Sequence, residues 1–206
     1  MGIGILGNKI GMTQLFDDNG DVIPVTIIKT GPCYITQIKS NDNCGYNAIQ
    51  IGYGEMSTNQ KKVTKPLLGH FNKANLPPYR HLKEYHVDGT DNYELGQKFG
   101  VDIFEVGQHI NITGLTTGKG NTGNIKQHGF SRGPETHGSK HTRMQGSIGA
   151  GTTPGRVLPG QKMPRRFGGW KRTIKGLEII DIDTSENLIV VKGSIPGKTG
   201  NLVSLK

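Results

Sequence analysis

Residues 118–175 read GKGNTGNIKQHGFSRGPETHGSKHTRMQGSIGAGTTPGRVLPGQKMPRRFGGWKRTIK, and in that stretch 12 Lys or Arg face one acid, Glu135. Its charge of +11 exceeds the +9 of the whole 206-residue chain, so the remainder is weakly acidic, with 13 basic residues against 15 acidic ones. A basic segment almost free of carboxylates repels itself and gains stability when a polyanion neutralises it. Nucleic acid is the polyanion that fits. No hydrophobic period marks a second core here, yet Phe130, Met144, Ile148, Val157, Leu158, Met163, Phe167 and Trp170 are too numerous for a flexible linker. The reading is a long basic, Gly-rich arm that orders against its partner.

On both sides of this stretch the chain carries strand signals. Toward the N-terminus, β-rich runs at 22–30, 33–39 and 47–53 are separated by Asp-Asn-Gly, Gly-Pro and Asn-Asp-Asn-Cys-Gly turns, which reads as an antiparallel meander. Residues 67–75, with Leu68, Phe71 and Ala74 near helical spacing, form a short helix stopped by Pro77 and Pro78. Further strands are expected at 79–87, around 101–104 and at 109–113, where Ile110 and Ile112 alternate with polar residues. Past the arm, 177–182 and 188–192 flank Asp183-Thr-Ser-Glu-Asn187 as a hairpin. The simplest architecture is mainly β: a small closed β-barrel with a short helical insertion, interrupted by the arm and completed by the C-terminal hairpin. This divides the chain into a body over 1–117, an arm over 118–172 and a closing segment over 173–206.

Composition excludes several classes. An apolar fraction of 33% with 32 glycines is low for a chain packed throughout. Cys33 and Cys44 lack C-x-x-C spacing, so neither a disulfide framework nor a zinc site is suggested, and both read as free thiols in a reducing compartment. No apolar run approaches the roughly 20 residues that cross a bilayer, and the opening residues resemble neither a secretory signal nor a transit peptide. A membrane partner is not expected.

Within the arm, Lys119, Lys126, Arg132, Lys140, Arg143, Arg156, Lys162, Arg165, Arg166, Lys171 and Arg172 are spread out rather than clustered, which suits an extended strand passing many phosphates. Arg pairs bidentately with phosphate or stacks on a base, and glycine lets backbone approach RNA where a Cβ would clash. The competing reading is a solvated basic tail; the arm's internal position between strands argues against it. His128, His137 and His141 read as polar contacts to phosphate or sugar, because Gly138 disfavours the helix on which His137 and His141 would hold a metal. Trp170 suits either base stacking or packing at the foot of the arm. Gly118-Lys-Gly-Asn-Thr-Gly123 matches a dinucleotide fingerprint formally, but no helix is expected over 124–129 and no βαβ unit surrounds it. Nor is it a phosphate loop of the Walker type, since Gly120 stands where Ser or Thr would bind magnesium. Acids gather in turns such as Asp17-Asp18 and 88–91, the ordinary place for solvated loop charge, so no catalytic group is assigned and no cofactor or small-molecule substrate is expected.

Several collinear motifs resemble a known family, the L-three proteins of the large ribosomal subunit. They are Gly7-Asn-Lys-Ile-Gly-Met-Thr-Gln-Leu-Phe16, Gly69-His-Phe71, Tyr79-Arg-His-Leu-Lys-Glu84, the run FEVGQHINITGLTTGKGNTG over 104–123, His128-Gly-Phe-Ser-Arg-Gly-Pro134, His137-Gly-Ser-Lys140, Gly146-Ser-Ile-Gly149 and Thr153-Pro-Gly-Arg156. The resemblance implies a six-stranded barrel of the translation-protein type, and an arm running through 23S-type rRNA toward the peptidyl-transferase region, its part around 143–156 lying closest. It also implies neighbouring large-subunit proteins as partners, an early role in assembly, and no enzymatic activity. Two positions depart from the family pattern: Gln127 replaces the usual Arg, and Ala150 replaces a glutamine that many bacterial members methylate. The Ala-Gly-Thr-Thr-Pro run resembles cyanobacterial and plastid members, which with the Asn-, Ile- and Lys-rich composition points to a plastid ribosome, the bacterial cytoplasm being the alternative. An RNA-modifying enzyme with a basic substrate arm is the rival from another class. It would need a cofactor pocket or an acid/base pair, and neither is legible. A DNA-compacting protein and a translation factor are weaker rivals, the latter for want of a nucleotide-binding loop.

Overall fold

The computed structural model describes residues 3–56, 63–90 and 92–206; Asp91, in the acidic turn singled out above, lies outside them. The chain divides into two compact units, one formed by Met1–Leu115 with Lys171–Lys206 and the other by Thr116–Trp170. The first unit contains β1 (Ile5–Phe16), β2 (Val22–Thr30), β3 (Cys33–Lys39), α1 (Asn41–Cys44), β4 (Ala48–Glu55), α2 (Lys65–Asn72), β5 (Tyr79–His86), β6 (Lys98–Phe99) and β7 (His109–Leu115). After β8 (Asn121–Thr122), α3 (Asn124–His128) and β9 (Arg165–Arg166) of the second unit, it resumes with β10 (Lys171–Asp183), β11 (Leu188–Lys192) and β12 (Leu202–Leu205).

Six strands in the order β1-β12-β7-β10-β11-β2 close on themselves through antiparallel pairs. The alternation at β7 has its physical reason there: Ile110 and Ile112 are buried while His109 and Asn111 face out, and Ile189 and Val191 of β11 repeat the pattern. Ile5, Leu6, Ile28, Ile179, Val203 and Leu205 complete the same core. Closure removes the free edges that an open sheet would expose. The 183–187 hairpin holds because the Asp183 carboxylate accepts hydrogen bonds from Ser185 N and Oγ at 2.9 and 2.7 Å, and Asn187 takes the left-handed backbone.

The expected single meander divides in two. After β2 the chain turns at Gly31 and Pro32, and β3 joins a separate antiparallel sheet, β5-β4-β3-β6, rather than the barrel. A proline lacks the amide donor that would continue the ladder, so the strand pair breaks there. The helix expected at 67–75 starts two residues earlier, with Pro66 in its first turn, and ends at Asn72; its one buried residue, Phe71, meets the Tyr79 ring edge-on at 5.9 Å. Gly52 is obligatory beneath that ring, since a Cβ there would stand 2.6 Å from a Tyr79 ring carbon.

The two sheets share one apolar core, tied by polar contacts. Tyr85 Oη and Ser204 Oγ are 2.5 Å apart, Tyr53 Oη donates to Lys29 O at 3.1 Å, and Leu6 N donates to Cys33 Sγ at 3.4 Å. Burial pushes the Cys33 thiol up to about 11, whereas Cys44 is exposed; both are free.

Three further expectations are corrected. Residues 101–103 form a 3-10 turn in place of a strand, with Val101 buried, Asp102 and Ile103 exposed, and Phe104 N donating back to Val101 O at 3.0 Å. The Asn-Asp-Asn-Cys turn is one turn of helix, α1, stopped by Gly45 in the left-handed region. The third correction concerns 124–129, where a helix, α3, forms against expectation, capped by Gly129 at φ 68, whose amide bonds to Ile125 O. Five residues are too few for a helical period to show.

Candidate nucleic-acid interface

The second unit is built upward from a backbone neck. Thr116 N donates to Trp170 O at 2.9 Å, Gly169 N to Thr116 O at 3.1 Å, Lys119 N to Phe167 O at 2.8 Å and Phe167 N to Gly120 O at 2.9 Å. Beyond these, β8 and β9 pair Asn121 with Arg166 and Thr122 with Arg165. Gly168, at φ 74, lies where a Cβ would collide with the carbonyl oxygen of Thr117, so this crossing requires glycine twice over. Above it, α3 is fastened to the returning strand: Asn124 Nδ2 donates to Lys162 O at 3.2 Å and the His128 ring nitrogen bonds Met163 O at 3.3 Å.

The expected contact residues divide between the units. Lys119, Lys126, Arg132, His137, Lys140, His141, Arg143, Arg156, Lys162, Arg165, Arg166 and Trp170 are exposed in the second unit, and His128 is half-buried there. Lys171 and Arg172 belong to the first unit, paired opposite Leu115 and Gly114 on β10. Lys83 lies near Lys171, and burial, reinforced by that like charge, pulls its ammonium down to about 8.

Some of the arm cations converge. Lys119, Lys126 and Arg143 line one recess with Thr122 and Gly123, while His128, Lys162 and Arg165 line another. Arg156 borders a third with Ile148, Ala150 and Leu158. His137 and His141 are not joined by a helix: His137 and Gly138 both take left-handed backbone in a turn, and Gly133 N closes the loop on Thr142 O at 3.0 Å. The acid of the unit, Glu135, pairs with Arg132. Among the described residues no three His, Cys, Asp or Glu side chains are grouped to hold a metal.

Trp170 meets Phe167 edge-on at 5.7 Å and carries the Arg165 guanidinium 5.3 Å above its ring, while Lys119 Nζ sits 5.0 Å over Phe167. The two aromatics thus hold two cations in place by their ring faces. Trp170 keeps 43% of its surface open.

Residue patterns alone do not single out three amides. Asn124, only 4% exposed, leaves its Oδ1 without a hydrogen-bond partner, as do both amide atoms of Gln127 and Nε2 of Gln145. Gln127 is legible in the sequence only as a departure from a family pattern. Its neutral amide is enclosed rather than presented at the surface.

A closed six-stranded barrel whose sequence is interrupted by a glycine-rich cationic unit defines a mainly β protein built around a basic insertion. The chain belongs to the ribosomal protein L3 family: the family model described as Ribosomal protein L3 matches residues 86–188, and relatives match along the whole chain. The large ribosomal subunit protein uL3 of Synechococcus sp. (strain RCC307) is 54% identical over 206 residues, covering 100% of this chain and 95% of its own length. Large ribosomal subunit protein uL3c of Guillardia theta is 53% identical, covering 100% of both chains. That of Phaeodactylum tricornutum (strain CCAP 1055/1) is 54% identical over 205 residues, covering 100% of this chain and 98% of its own.

Proposed function

We propose that this chain is a structural constituent of the large ribosomal subunit that binds 23S-type rRNA directly and takes part in early assembly. The observation that carries this reading is the second unit: nine exposed Lys and Arg side chains with one acid, itself already paired to Arg132. The barrel is of the translation-protein type, and residues 118–172 act as an arm reaching toward the peptidyl-transferase region, with 143–156 nearest. Body, arm and closing segment take the boundaries 1–117, 118–172 and 173–206. Neighbouring ribosomal proteins are its other partners. Membership of a ribosomal structural family sets the RNA-modifying enzyme aside. The relatives from plastid and cyanobacterial sources stand level in identity, in keeping with a plastid ribosome and equally with a bacterial one.

The recess of Lys119, Lys126 and Arg143 offers a test. Each phosphate neutralised contributes roughly 0.7–0.9 to the slope of log K against log salt. Replacing the three cations by Gln lowers that slope for a large-subunit rRNA fragment by about 2 to 3. The same replacement at Lys29, Lys65 and Lys192 of the first unit leaves it nearly unchanged. Equal losses from both sets would refute the assignment of binding to the arm.

A further inference from the structure

The hairpin of β1 and β2 outruns the barrel. β1 pairs with β12 only over residues 5–8, and β2 pairs with β11 only over 25–29, whereas the two strands pair with each other out to Phe16 and Val22. Residues 12–22 are consequently exposed on both faces of a two-stranded ribbon. Such a ribbon is marginally stable in water without a covering layer.

Its composition specifies the cover. On one face Met12 lies opposite Thr26, Gln14 opposite Pro24 and Phe16 opposite Val22. Phe16, Val22 and Met12 keep 67%, 55% and 51% of their surface open, and Leu15 is exposed on the other face. Exposed large apolar side chains gathered on so short a ribbon mark an interaction surface. No Lys or Arg occurs between Lys9 and Lys29, while Asp17, Asp18 and Asp21 stand at the tip, so the ribbon is anionic on a chain of net charge +9. Asp17 is occupied in shaping the turn, its carbonyl accepting from Gly20 N at 2.8 Å and its carboxylate from Asp18 N at 2.9 Å. Phosphate is repelled by this tip, whereas a protein surface combining aliphatic and Lys or Arg side chains complements both features.

We propose that the β1–β2 ribbon docks a basic segment of a neighbouring large-subunit protein, with Met12, Phe16 and Val22 as apolar anchors and Asp18 and Asp21 as its charge partners. This rests on the ribosomal reading above. The test places p-benzoylphenylalanine at position 16 of the full chain, assembles it into large subunits and irradiates them, with the same probe at exposed Val106 as reference. The expected product is a covalent adduct to another, basic ribosomal protein, at least fivefold above the reference, and reduced at least threefold when Asp18→Lys and Asp21→Lys are added. Adducts to rRNA, to a second copy or to the chain's own arm overturn the proposal, as does adduct formation no higher than at position 106. Sedimentation separates the two readings: a chain absent from large subunits overturns the ribosomal assignment and this inference together. A chain present in the subunits but attached to rRNA at position 16 overturns this inference alone.

Discussion

Gly168→Val weakens rRNA binding by roughly 100-fold while the thermal unfolding of the first unit stays unchanged. The side chain would be forced into left-handed backbone, which alone costs on the order of 1–2 kcal/mol. Its Cβ would also collide with Thr117 O and approach Thr117 C and Gly118 Cα at 2.9 and 3.0 Å, all backbone atoms with little room to yield. Relief requires separating Lys119 N from Phe167 O and Phe167 N from Gly120 O, the bonds that align the two strands of the neck. Every 1.4 kcal/mol of strain carried into the bound state is a tenfold loss of affinity. Gly169 supplies the internal control, because at φ 72 it shares the backbone strain, yet a Cβ added there would have nothing within 4 Å. Gly169→Ala therefore weakens binding by no more than roughly 30-fold. Equal effects at both positions, measured by fragment binding at fixed salt, would show that the close approach at Gly168 is irrelevant.

The second large effect comes from removing the second unit. Leu115 and Lys171 are register partners on adjacent antiparallel strands, so residues 116–170 are replaceable by an Asn-Gly turn without disturbing the pairing of β7 with β10. Nine of the 25 Lys and Arg leave with the segment along with one of the 16 acids, and the chain that remains is close to neutral at +1. Calorimetry is expected to show one cooperative transition for this shortened protein, since the residues of the shared core all lie in the first unit. Binding to large-subunit rRNA falls by at least 1,000-fold in low salt, and the salt slope nearly vanishes, because counterion release scales with the cations that contact phosphate. Retention of a steep slope would move the interface to the barrel.

The sequence is most informative where one physical signal dominates. Strands β2, β3 and β11 carry β-branched runs bounded by turn residues, and their expected limits coincide with those observed. β1 escapes detection as a single strand because Gly7, Asn8, Lys9 and Gly11 interrupt its pattern. Its Lys9 is buried, with Nζ donating to Ile195 O at 3.1 Å and to Gly197 O at 3.2 Å, a long-range contact that local patterning does not record. β12 has four residues and gains its meaning only from pairing with β1 and β7. The separate sheet formed by β3 to β6 likewise depends on which strand each edge meets.

For the candidate interface, charge makes the arm visible at once, since acids are nearly absent from it. What stays hidden is convergence. Nothing in the spacing of Lys119, Lys126 and Arg143 brings Arg143 back to α3; turns centred on Gly129 and on His137 and Gly138 do so, through positive φ values that sequence signals only loosely. The enclosure of Asn124 and Gln127 is a property of the folded loop, as their polarity alone predicts exposure.

The most direct measurement of the central claim is photocrosslinking within intact ribosomes, with probes placed through residues 119–166 and the attached nucleotides identified by sequencing. Attachment to large-subunit rRNA, with probes at 143–156 reaching nucleotides around the peptidyl-transferase centre, is the predicted result. Attachment mainly to transfer or messenger RNA, with none to large-subunit rRNA, would contradict the account.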